Sequence, residues 1–198
     1  MRESNRISDF VIPRMDRVRE SGDNEIGIWG FGEAVLTDIN GIIIARSEFS
    51  NLVTDKGDQY YGERAAAGIA GSPLSSGPNQ VTGMKLGTSS TAVAKTGAGA
   101  ALVGYLAASQ QALVSGFPTS SQPGGAGTAR QIQWQSLWAA GVATTGSAIT
   151  EVVMVIDTLA DATSTAANTI CRALLTGISS KGASDTLTVT WNHNLLGA

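Results

Sequence analysis

The chain has 198 residues, one cysteine, one histidine and 24 glycines, a net charge of −3, and charged residues at only 15% of the total. That length suits one substantial domain, alone or with an arm, and without a basic excess the composition offers no footprint for nucleic acid. A single cysteine, Cys171, cannot close a disulfide within the chain, which fits synthesis in a reducing cytoplasm.

The first residues, Met1-Arg-Glu-Ser-Asn-Arg6, have no apolar run and predict no secretory signal. Residues 1–25 are polar and charge-alternating, and Pro13 interrupts any helix, so they read as an extended arm ordered only against a partner. Residues 26–198 read as one assembly domain. It opens with two apolar runs separated by Asn40-Gly41, a hairpin signal because both turn residues tolerate positive φ. From Thr54 to Ala67 the pattern predicts a short helix, with Thr54 as its cap and Asp55 at its positive end; Gly57 and Gly62 weaken it.

Residues 68–80 are loop and Gly83–Thr88 a short strand. Residues 100–113 fit a helix or a strand equally. Residues 119–128 form a second Gly/Ser/Pro loop, followed by an alternating strand at Gln131–Trp138. Ile149–Asp157 is apolar on both faces, as a central strand would be, and Thr169–Thr176 is another strand. The last strand is the clearest. From Thr186 to Leu195 the alternation never breaks, with Leu187, Val189, Trp191, His193 and Leu195 on one face and Thr and Asn on the other. Two long uncharged stretches, 96–129 and 131–150, are too rich in Gln, Ser, Thr and Gly for a spanning helix. Together these elements predict a mainly all-β chain: a β-sandwich or jelly-roll-like domain with one or two short helices.

Charge divides the chain unevenly. Residues 1–64 carry 8 basic and 12 acidic side chains, whereas residues 65–198 carry only 5 and 4. A monomeric domain keeps a mixed, charged surface. The second segment therefore reads either as surface facing other subunits or as a coat of Ser, Thr, Asn and Gln.

Little in the sequence points to catalysis. His193 lies on the apolar face of its strand beside Trp191 and reads as a buried or interface imidazole; catalysis would need a nucleophile or carboxylate in reach. Cys171 sits in an apolar strand and reads as a small buried hydrophobe. Gly97-Ala-Gly-Ala-Ala-Leu102 has two of the three glycines of a dinucleotide fingerprint but no βαβ context. Asp157 and Asp161 are candidates for a cation but are of the kind that caps loops. Trp29, Trp134, Trp138 and Trp191 form either a sugar platform or, since three lie in strands, core and subunit contacts. No residue is assigned a catalytic, cofactor-binding or metal-binding role, and no enzyme is expected.

Five blocks occur in a characteristic order: Asn51-Leu-Val-Thr-Asp-Lys-Gly57, Met84-Lys-Leu-Gly-Thr-Ser-Ser-Thr-Ala92, Ala148-Ile-Thr-Glu-Val-Val-Met154, Ile170-Cys-Arg-Ala-Leu-Leu175 and Lys181-Gly-Ala-Ser-Asp-Thr-Leu-Thr-Val-Thr-Trp191. Their order and spacing resemble a broad group of tailed-bacteriophage virion proteins over residues 51–198. The match departs where Gly87-Thr-Ser89 stands for Gly-Thr-Gly. The resemblance implies a virion structural protein made in a bacterial host's cytoplasm: a capsid decoration (cement) protein, or a minor tail, baseplate or fibre-anchoring part. It implies as partners copies of itself, as a dimer or trimer, and the major capsid protein or tail proteins, with no cofactor, nucleic acid or membrane. A host-glycan-binding module acting through exposed tryptophans is the remaining alternative.

Overall fold

A computed structural model describes residues 27–196, apart from 71–72, 75–76 and 127. The arm expected at residues 1–25 lies outside the described residues. The mainly-β expectation holds. Strands β1 (Gly27–Thr37), β2 (Ile43–Val53), β3 (Gly83–Gly87), β4 (Gln111–Ala112), β5 (Thr119–Ser121), β6 (Arg130–Trp138), β7 (Glu151–Val155), β8 (Thr169–Leu174) and β9 (Thr186–Leu196) accompany one helix, α1 (Asp55–Ala66). The nine strands form one antiparallel sheet in the order β4-β3-β7-β8-β2-β1-β9-β6-β5.

The sheet curls into a half-barrel. Strand β2 is the corner: most of its length pairs with β1, and only Leu52 and Val53 pair with β8. The far ends of the strand order meet again where Leu113 bridges Ser136 and the Val114 N–H donates to the Gln135 carbonyl at 2.9 Å. One core fills the curl. Leu36, Phe49, Trp138, Leu187 and Trp191 from one half pack with Met84, Leu86, Val152 and Met154 from the other. Each such side chain, fully buried, contributes about 1.5–3 kcal/mol.

Local chemistry accounts for the elements. The Asn40-Gly41 hairpin forms, but only Gly41 takes positive φ (78°). The organiser is Asp38, whose Oδ1 accepts the N–H groups of Asn40 and Ile42 at 2.8 and 2.9 Å. Thr54 caps α1, its Oγ1 accepting the Gly57 N–H at 3.1 Å. Gly57 is there for space, because a Cβ at that position would stand 2.1 Å from the Ile170 carbonyl of β8.

The segment 100–113, undecided from sequence, is neither helix nor long strand. Val103 and Gly104 donate their N–H groups to the Glu151 carboxylate, and Leu106 donates to Leu86 O. Backbone groups spent on neighbours cannot form a helix of their own. This segment also explains why β7 is apolar on both faces. Val152 and Met154 face the main core, while Val153 and Val155 form a second cluster with Leu102 under the covering segment.

Candidate functional site

His193 is wholly buried. Strand β9 aims it inward, as the alternation predicted, and it faces two side chains from other elements. Its Nδ1 meets the Tyr61 hydroxyl from α1, and its Nε2 lies 3.5 Å from Asn51 Nδ2 on β2. Both contacts depend on a gap in β1. Gly30 sits between Asn51 and His193 in register, and a Cβ there would come within 1.7 Å of Asn51 Oδ1 and 2.6 Å of the imidazole. Gly32 likewise makes room for Phe49, whose ring meets Trp191 edge-on at 5.0 Å. Burial drives the His193 pKa down to about 3 and pushes that of Tyr61 far above its ordinary value. A neutral, enclosed imidazole bonded to a phenol and an amide holds three elements together and exchanges no proton near neutral pH.

The other candidates are also drawn into the framework. Cys171 is buried in β8, and burial keeps its thiol protonated. Gly97–Ala100 is one 3-10 turn, and Gly99 is pressed against Ala92 O and Ala94 N, each within 3 Å of where a Cβ would stand. Asp157 and Asp161 serve different partners. Lys85 Nζ reaches Asp157 Oδ2 and Ala162 O, both at 2.9 Å. Burial opposes the Asp157 charge, but hydrogen bonds from Ser164, Lys85 and the Leu159 N–H outweigh it and lower the pKa. Asp161 accepts from the Tyr105 hydroxyl at 2.6 Å and the Ala108 N–H at 2.7 Å, and both hold its pKa down. Among the described residues no group of three or more His, Cys, Asp and Glu is placed to hold a metal ion, and no helix is long and apolar enough to cross a membrane.

The buried charges went unrecognised in the sequence. Glu151 and Arg172 are both fully buried; Arg172 Nε donates to Glu151 Oε2 at 2.9 Å. Glu151 Oε1 takes the Gly104 N–H at 2.6 Å, and Arg172 Nη1 reaches Thr91 O at 2.7 Å, so the pair fastens the loop between β3 and β4. Lys181 is equally buried and bonds Ala139 O and Asp185 O at 3.0 and 2.7 Å. The only signal was position: Lys85, Glu151 and Arg172 each stand in a strand among apolar neighbours.

What remains accessible is the outer face of β1, β9 and β6. Trp134, Trp138 and Trp191 are buried, whereas Trp29 is 47% exposed and stacks on Phe31 with ring centroids 5.0 Å apart. Register sets Asn194 beside Trp29 and Asn192 beside Phe31, with Gln131 and Gln133 next across. Three cross-strand bonds tie the rows: Gln131 to Asn194 at 3.2 Å, Gln133 to Asn192 at 3.0 Å and Gln135 to Thr190 at 3.1 Å. At one end of the sheet the β1–β2 turn exposes Ile39, Ile42, Ile43 and Ile44. Comparison with protein families, with curated proteins and with solved structures finds no match to this chain.

Proposed function

We propose that this chain is a structural component of a bacteriophage virion, a capsid decoration protein that binds and stabilises the outer shell as a dimer or trimer, without catalysis. The observation that carries this reading is the character of the surface. Residues 65–198 hold nine charged side chains, and Lys85, Glu151, Arg172 and Lys181 among them are buried. The remaining surface is chiefly amide, hydroxyl and small apolar groups, and depletion of charge is what distinguishes the core of a subunit interface. The isoleucine tip of the β1–β2 hairpin supports contact with a partner, since clustered exposed apolar residues mark interaction sites. The resemblance to tailed-phage virion proteins points the same way: four of its five blocks contain a buried charge of the framework. The enclosed His193 supports a non-enzymatic role.

The test is co-sedimentation of the full chain with undecorated heads, beside a variant lacking residues 2–25. Saturable binding at many equal sites is expected, weakened when the arm is removed. Failure to bind heads, or labelling of the tail alone at a few copies per particle, overturns the capsid assignment in favour of a tail part.

A further inference from the structure

We infer that the outer face of β1, β9 and β6 is a binding site for a neutral oligosaccharide, with Trp29 as its stacking platform. This goes beyond the virion reading and does not rest on it.

The aromatic part comes first. Trp29 is the one exposed tryptophan among the described residues, and its stack on Phe31 fixes the plane of the indole. A rigid aromatic ring presents large contact area at little entropic cost, and the C–H face of a sugar ring is an apolar surface of matching size.

The polar part lies one and two strands away. In the cross-strand ladder, Gln131 and Gln133 spend an Nε2 donor on the Oδ1 of Asn194 and Asn192. Asn194 Nδ2, Gln131 Oε1 and Gln133 Oε1 then take no partner among the described residues, while Asn192, buried, serves to orient Gln133. A donor and an acceptor therefore stand side by side at Asn194 and Gln131, with the Gln133 acceptor about 7 Å further along the strands, all oriented by the bonds that tie them. A sugar hydroxyl both donates and accepts, so this array fits it.

Charge decides the ligand class. The outward residues of β9 and β6 are Thr186, Thr188, Thr190, Asn192 and Asn194, and Gln131, Gln133, Gln135 and Leu137, none of them ionisable; on β1 the one ionisable outward residue is Glu33, opposite Thr190, and Arg46 neutralises it at 3.1 Å. An acidic glycan would find no free cation among these rows, and a basic one no carboxylate but that of Glu33, which Arg46 already holds.

The test is affinity electrophoresis of the full chain through gels containing dextran, mixed-linkage β-glucan or galactomannan, with hyaluronan as the acidic comparison. Iodide quenching runs in parallel; the other tryptophans being buried, it reads Trp29. Retardation by a neutral polysaccharide is expected, with Trp29 shielded from iodide, binding weakened at least tenfold in Trp29→Ala and clearly reduced in Gln133→Ala. Both side chains lie on the outer face, and circular dichroism checks that the variants fold. Retardation by none of the neutral polymers, by hyaluronan alone, or equally for wild type and Trp29→Ala overturns the inference. So does a Trp29 that is shielded without sugar and exposed when self-association is broken, which would make this face an interface between copies.

Discussion

Residues 27–64 and residues 65–198 each carry nine charged side chains, but they use them in opposite ways. In the first region none is buried; Glu33 pairs with Arg46 at 3.1 Å on the surface, both about 40% exposed or more. In the second, four are buried and bond the loops that close the half-barrel. The difference teaches that charge count and surface charge are separate properties. The second region is poorer in surface charge than its composition suggests, because nearly half of its charges serve the interior.

Breaking a buried pair gives the largest effect. Arg172→Met leaves the Glu151 carboxylate uncompensated in the core and is expected to cost about 3–5 kcal/mol in urea unfolding. Buried ion pairs are often replaceable by apolar residues, but here Glu151 also accepts the N–H groups of Ser89, Val103 and Gly104. The double variant Glu151→Leu/Arg172→Met therefore orphans three donors. Full recovery of stability in that variant would refute the anchoring role.

Burial of His193 gives the next effect, and its sign follows from the direction of the shift. An ordinary histidine gains its proton near 6.5, and this one only near 3. Between those values the unfolded chain binds a proton that the fold does not. Stability is complete above about pH 6.5 and falls as pH drops, by up to about 1.4 kcal/mol per unit. Urea midpoints from pH 7.5 to 4.5 should fall more steeply for the wild type than for His193→Gln; equal slopes would remove histidine from the explanation.

Periodicity made β9 and β7 legible, because a strand with one or two buried faces writes its environment directly into the order of residues. Thr54 was legible as a cap for an equally local reason. What stayed hidden depends on which strands become neighbours. Gly30 and Gly32 look like weak points of a strand until register sets Asn51, His193, Phe49 and Trp191 across them. The polar halves of β6 and β9 were visible as alternating Gln, Thr and Asn, but the pairing that turns them into a ladder was not. Lys85, Glu151, Arg172 and Lys181 went unread as interior because charged residues are rarely buried without partners, and the partners lie 20 or more positions away or are backbone carbonyls.

The contact between the two regions is tested within one helix. Ala exceeds Gly in helix propensity by about 1 kcal/mol. A methyl group added at Gly62 would meet nothing within 4 Å, so Gly62→Ala should raise the melting temperature. Gly57→Ala makes the same exchange under the Ile170 carbonyl, and overpacking should reverse the sign to a loss of about 1–3 kcal/mol. Two variants of like sign would mean that α1 does not seat on β8 as closely as described.

The smallest effect belongs to the exposed region and sets the scale for the others. Glu33 and Glu48 stand directly opposite on β1 and β2, and Arg46 answers only Glu33. Like charges across an antiparallel pair cost about 0.2–1 kcal/mol, so Glu48→Gln should stabilise by that order at low salt. Within a screening length of about 3 Å at 1 M salt the repulsion fades, and the gain should vanish there. The Arg172→Met penalty should persist in the same buffer, because no counterion reaches a fully buried pair. A Glu48 gain that survives salt, or an Arg172 loss that salt relieves, would erase the contrast between a region that wears its charge and one that encloses it.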